Sequence, residues 1–234
     1  MGVFSFQFSV FSYLPAKLKT QNLTLKTLKV VAFAACLLPF GLLAWDGYTD
    51  GLGVNPIETI TRSTGKWTLT FLLITLAVTP LRRITGRQWL IKFRRMLGLY
   101  AFFYVCLHFT TYIWLDQFFD LVEIAKDIPK RPFITVGFAS FVSLIPLALT
   151  STSGMVRRLG KRWQQLHRLI YLTAIGGVVH YLWLVKADTR KPLIYGAILT
   201  LLLAYRLLTA RRLRTASAVQ TQAAQFARSD PARK

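Results

Sequence analysis

Apolar residues in this chain gather into six long runs separated by short polar segments. The runs lie at about 29–45, 66–80, 96–115, 132–150, 165–185 and 192–209, each at or near the ~20 helical residues that cross the hydrocarbon core of a bilayer. Within lipid, a helix satisfies its backbone hydrogen bonds inside one segment, so an uninterrupted apolar run reads as helix. The pattern predicts an all-α membrane protein built as a six-transmembrane-helix bundle. The second run is the shortest and stops at Thr79-Pro80. Composition agrees, with 53% hydrophobic and 17% charged residues among 234.

Charge then orients the bundle. The formal net charge is +21, which taken alone would suggest a nucleic-acid partner. Its distribution excludes that. The outer segments carry Arg62, Lys66, Lys126, Lys130, Arg131, Lys186, Arg190 and Lys191, matched one for one by every carboxylate except Asp230. All other lysines and arginines fall in the alternate segments, around 17–29, 82–95, 157–168 and from Arg206 onward. Alternating basic and neutral loops obey the positive-inside rule and put both termini in the cytoplasm. The basic excess therefore faces the anionic inner leaflet of a bacterial cell inner membrane. The partner it implies is membrane lipid, not nucleic acid.

Three regions follow. Residues 1–28 form a cytoplasmic or interfacial segment carrying Phe4, Phe6, Phe8 and Phe11. Residues 29–209 form the membrane domain, and 210–234 read as a disordered basic tail, small and polar in composition. No basic start, apolar core and small-residue cleavage site mark a signal peptide. Cys36 and Cys106 lie within apolar runs and read as small buried side chains. No Gly-x-Gly-x-x-Gly stretch marks a nucleotide-binding domain.

The chemistry sits in the histidines, of which there are three. His108 and His180 lie deep in the third and fifth runs, each thirteen residues beyond an inner-side polar residue, Arg95 and His167. An ionisable side chain in hydrocarbon is costly unless partnered, so its first reading is functional. Equal depth on two outward-running helices suits one iron held between two imidazoles, and a six-coordinate haem iron transfers electrons without binding substrate. With no Cys-x-x-Cys-His run, such a haem is held non-covalently, as b-type. A hydrogen-bonded packing histidine is the bland alternative. His167 stands ~20 Å below His180 along a helix, near the inner end of its run, a height that suits a second haem. Across from it on the third run stands Arg94, fourteen residues before His108. Arginine keeps its proton and makes a poor iron ligand but a good partner for a haem propionate or phosphate. Thirteen residues also leave His167 and His180 about 140° apart around a straight helix. Gly176-Gly177 between them offers a place to deform.

A further pattern lies after the third run, where Asp116, Asp120, Glu123 and Asp127 recur at helical spacing. It reads either as the solvated face of an interfacial helix or as an acidic docking surface for an external partner.

Several segments together resemble a known family. They are Thr64-Gly65, Leu76-Ala-Val-Thr-Pro-Leu-Arg-Arg83, Arg94-Arg-Met-Leu-Gly-Leu-Tyr100 with His108, Leu149-Thr-Ser-Thr-Ser-Gly154, and Trp163-Gln-Gln-Leu-His-Arg-Leu-Ile-Tyr171 with His180. In order and spacing, from about residue 30 to 209, they are similar to the MsrQ family, also called YedZ, within the ferric reductase-like haem-domain superfamily. The resemblance implies a ferric reductase-like haem domain carrying haem b, in one or two copies. It also implies FMN, for which no motif is visible. In that superfamily two helices each carry a histidine pair; here Arg94 stands where the fourth histidine would be. The resemblance further implies electrons arriving from the quinone pool or a cytosolic flavin reductase. They would leave for a periplasmic MsrP-like molybdoenzyme that reduces protein methionine sulfoxide. The chain would be an electron-transfer subunit rather than the catalytic one. Two alternatives stand beside it, a stand-alone transmembrane ferric or quinone reductase and a transporter using the histidines as a proton relay. The second would require carboxylates at membrane depth, and none lies within the six runs.

Overall fold

The computed structural model describes residues 4–185 and 188–229, which are helical apart from turns and short connections. Its helices are α1 (Phe4–Tyr48), α2 (Pro56–Thr85), α3 (Arg94–Thr111), α4 (Leu121–Lys130), α5 (Pro132–Leu149), α6 (Ser153–Leu159), α7 (Lys161–Leu166), α8 (Leu169–Leu184) and α9 (Arg190–Ser229). A 3₁₀ segment, Gln88–Phe93, leads into α3, and a π-helical turn, Tyr112–Asp116, extends it. The chain divides into two compact units, residues 1–67 and 68–234.

In the first unit, α1 runs from Phe4 without interruption, so the segment expected to be separate before residue 29 continues into the first apolar run. The turn that follows uses left-handed backbone at Asp50 and Gly53. Asn55 then starts α2: its side chain accepts from the Glu58 backbone N–H at 3.2 Å and donates to the Glu58 carboxylate at 3.2 Å. The first of these bonds satisfies one of the N–H groups that a helix start leaves unpaired.

In the second unit, the most extensive packing is between α5 and α8, and small residues permit it. A Cβ added at Gly176 of α8 would stand 2.2 Å from Ser140 Oγ of α5, and one at Gly177 would stand 3.4 Å from a Leu69 methyl of α2. Close backbone approach through small residues is how membrane helices gain dispersion contact, since lipid supplies no hydrophobic drive between them. Aromatic rings lock α3 on either side. Phe71 of α2 stacks on Tyr104 at 5.3 Å, and Phe109 meets Phe141 of α5 at 4.6 Å. Thr70 of α2 and Tyr195 of α9 share a hydrogen bond of 2.9 Å.

Among the described residues, five helical segments are long and apolar enough to cross a membrane: Leu23–Tyr48, Pro56–Thr85, Gln88–Asp116, Pro132–Leu149 and Arg190–Arg212. The expected fifth run is divided. α7 ends at Leu166, His167 and Arg168 turn, and α8 provides the remaining 16 residues. At ~1.5 Å per residue, α8 is about 24 Å long, short of a ~30 Å core. The tail expected to be disordered from residue 210 continues α9 to Ser229. Its alanines, arginines and glutamines are good helix formers, which outweighs their low hydrophobicity. Residues 230–234 lie outside the described ones.

One expectation is corrected outside the spans. Asp127 is 3% exposed and does not share a solvated face with its neighbours. It accepts from the Tyr112 hydroxyl at 3.0 Å and pairs with Arg131 at 2.8 Å. Asp120 is the N-cap of α4, accepting from the backbone N–H groups of Val122 and Glu123. Two of the four acids are thus structural, because the α4 face bearing Ile124 and Asp127 turns inward.

Candidate functional site

α3 carries His108 and α8 carries His180, and α5 lies against both. Tertiary packing brings the two imidazoles together with ring centres 6.2 Å apart and planes at 81°. That separation can be tested against chemistry. An imidazole nitrogen lies about 2 Å from its metal, with the ring centre roughly 1 Å further back, so rings on opposite sides of one metal have centres about 6 Å apart. Both side chains are half-buried.

His180 is held by α5. Its Nδ1 lies 2.6 Å from the Phe133 carbonyl oxygen, which can only accept, so Nδ1 carries the proton and Nε2 keeps its lone pair for a metal. A ligating histidine fixed through its other nitrogen is the usual second-shell arrangement. Gly137, one turn beyond Phe133, makes room for it: a Cβ there would stand 2.7 Å from His180 Nδ1. Phe133 lies beside the imidazole, ring centres 6.3 Å apart. On the other side, Phe109 contacts Phe138 at 5.7 Å as well as Phe141, fixing the α3 turn that bears His108.

His167 occupies a different setting. It caps α7 and stacks on Trp163, ring centres 3.9 Å apart. Its Nε2 lies 3.1 Å from Thr150 Oγ1 at the end of α5. The Thr150 hydroxyl donates its proton to the Pro146 carbonyl at 2.6 Å, so His167 Nε2–H is the donor and Nδ1 holds the lone pair. Trp163 Nε1 donates to the Thr150 carbonyl at 3.0 Å, completing a small polar knot. Arg94 begins α3 and lies within electrostatic range of His167. Of the sequence-derived residues, packing brings His108 and His180 together, and His167 sits apart from them against Trp163 and Thr150.

Sequence reasoning missed three contributors. Phe133 and Gly137 act through backbone position, which side-chain chemistry does not announce. Arg206 was counted among the orientation charges of the inner side. Its position inside the last apolar run, 192–209, was the available signal, since an ionisable residue within a span calls for a partner. It donates to the Leu76 carbonyl of α2 at 2.7 Å and to the Tyr171 hydroxyl of α8.

Among the described residues, no three His, Cys, Asp or Glu side chains converge as a metal site. A porphyrin supplies four ligands of its own, so a haem needs only one or two protein side chains, and two facing imidazoles can supply them. The residues present fit that group.

Comparison with known proteins gives the same direction. Residues 64–178 match the family described as ferric reductase like transmembrane component. The protein-methionine-sulfoxide reductase heme-binding subunit MsrQ of Herminiimonas arsenicoxydans is 60% identical over 185 residues, covering 78% of this chain and 85% of that protein. Those of Azospira oryzae and Rhodospirillum rubrum are 53% and 56% identical, covering 81% and 80% of this chain and 82% and 90% of theirs. No solved structure matches.

Proposed function

The chain belongs to the MsrQ family of protein-methionine-sulfoxide reductase heme-binding subunits, and from that premise we propose a transmembrane electron-transfer subunit binding b-type haem. The observation that carries this reading is the His108–His180 pair, 6.2 Å between ring centres, with His180 fixed through its Nδ1. Bound there, haem supplies a one-electron iron couple. His108 and His180 would hold the iron of that haem through their imidazole nitrogens, which would suit electron transfer rather than binding of substrate at the metal. The Phe133 carbonyl and Gly137 orient His180, and the aromatic rings of α3 and α5 exclude water. His167 is the candidate ligand of a second, inner haem, with Arg94 as a contact to a propionate or other cofactor group. Ligation there through Nε2 requires that nitrogen to give up its bond to Thr150.

In this reading the domain crosses the bacterial inner membrane six times, with α8 as the fifth span and both termini cytoplasmic. Electrons arrive from the quinone pool or a cytosolic flavin reductase and leave for a periplasmic MsrP-like molybdoenzyme. FMN comes to this reading from family resemblance alone. A reduced-minus-oxidised spectrum of the detergent-purified protein, with haem and flavin quantified against protein, tests the proposal. A b-type signal is expected, and absence of haem after expression with ample haem would sink it. The match to ferric reductase-like components favours one second reading, a stand-alone reductase. Reduction of ferric chelates without any partner protein would select that reading.

A further inference from the structure

The inner end of the second unit holds polar groups that the His108–His180 pair does not use. Arg206 reaches from α9 to the Leu76 carbonyl of α2 and the Tyr171 hydroxyl of α8, and its guanidinium lies 5.2 Å from the Tyr171 ring centre. Its Nε is buried with no hydrogen-bond partner. Arg94 lies within electrostatic range of both Arg206 and Tyr171. α3 packs on this part of α2: a Cβ on Gly98, one turn along α3 from Arg94, would lie 3.8 Å from Thr75, the neighbour of Leu76. Thr79, one turn beyond Thr75 on α2, also has a buried hydroxyl without a partner.

The charges around these arginines do not balance. Ion pairs among the described residues involve Arg62, Lys126 and Arg131, and none involves Arg94 or Arg206. Arg206 keeps one buried donor unmet, and a second guanidinium within electrostatic range repels its own, costs that a bound anion relieves. The Tyr171 oxygen accepts from Arg206, which leaves its own proton to donate. What this point offers is chiefly donors, the two guanidinium groups and the Tyr171 proton, with the Thr79 hydroxyl able to donate or accept. The matching group accepts only, is negatively charged and takes forked hydrogen bonds, which describes a carboxylate or a phosphate.

We propose that Arg94, Arg206 and Tyr171 form an oxyanion-binding site at the inner end of the helices, taking the carboxylate or phosphate of a bound cofactor or an anionic phospholipid. The site stands on this geometry; only the choice of a haem as its ligand rests on the electron-transfer reading. The test uses the full chain purified in mild detergent. Haem and flavin are quantified against protein, and retained phospholipid is read by native mass spectrometry, for the wild type, Arg94→Gln, Arg206→Gln and Arg206→Lys. Retention of one bound anionic molecule should fall about tenfold in both glutamine variants, the scale of one charge-assisted hydrogen bond. Arg206→Lys should lose less, and the outer haem absorption should be unchanged. Loss of a haem equivalent or of flavin identifies a cofactor; loss of phospholipid alone identifies the lipid. Wild-type retention of every component in both glutamine variants would overturn the site. So would loss of the outer haem along with everything else, because the arginines would then be structural. If Arg206→Gln fails to accumulate for want of its Leu76 contact, Arg94→Gln decides. A wild type without any haem would defeat the electron-transfer reading and leave this site judged on phospholipid.

Discussion

At the scale of single residues, the site depends on which nitrogen of each histidine is already committed. His180 spends Nδ1 on the Phe133 carbonyl and keeps Nε2, whereas His167 spends Nε2 on Thr150. The three histidines should therefore separate in a spectrum. His108→Ala and His180→Ala are each expected to abolish the same haem component, and His167→Ala to leave that component in place; identical spectra from all three variants would contradict two sites. Gly137→Ala tests the orientation of His180. The added methyl would stand 2.7 Å from Nδ1, so the imidazole must rotate or withdraw. A shifted midpoint potential and a perturbed Soret band are expected at normal expression, with overpacking costing roughly 1–3 kcal/mol. A potential equal to wild type would show that the glycine is not what seats the ring. The histidines were legible in the sequence because an ionisable group in an apolar run stands out. The carbonyl of Phe133 was not, since every residue has one and only packing decides which is aimed at a ring.

At the scale of elements, α5 is the member against which the site is assembled. It supplies the Phe133 carbonyl, receives Gly176 of α8 against Ser140, stacks Phe141 on Phe109 of α3, and ends at Thr150 beneath His167. Gly176→Leu should force α8 away from α5 and cost haem retention far more than any change at the lipid-facing surface of either helix. Haem-to-protein ratio after purification measures it; full retention would mean the close approach is dispensable. The outer helix α4 has a separate anchor in the Tyr112–Asp127–Arg131 chain. Asp127→Ala leaves the half-buried Tyr112 and the exposed Arg131 without their acceptor. A thermal transition lowered by the equivalent of about 1–3 kcal/mol is expected, with the haem spectrum unaltered. An unchanged transition would return Asp127 to the solvated face that helical spacing suggested. Spacing alone could not distinguish the two, because a period of 3.6 says which residues share a face but not whether that face meets water or protein.

At the scale of the whole molecule, charge and hydropathy give different weight to the fifth crossing. The loops alternate in charge as six crossings demand, yet α8 has 16 residues, and His167 and Arg168 form a turn just before it. The positive-inside rule acts on loops within ~15–20 residues of a span and sets orientation even where a helix is short. A short helix is accommodated by local thinning of the bilayer or by flanking side chains that reach to the interface. Trp183 near the outer end and Arg168 near the inner end are placed for that role. The expected arrangement then has Asp188 outside, with Arg158 and the chain ends inside. Single cysteines introduced at those positions, in a background lacking Cys36 and Cys106, should divide by side when intact cells are treated with a membrane-impermeant thiol reagent. Labelling at 188 with protection at 158 and both termini is expected. Protection at 188 together with labelling at the C-terminus would mean that α8 does not cross. In that event Arg206, near the far end of α9, would lie at the face opposite Arg94 and His167, and its contacts to Leu76 and Tyr171 would have to be given up.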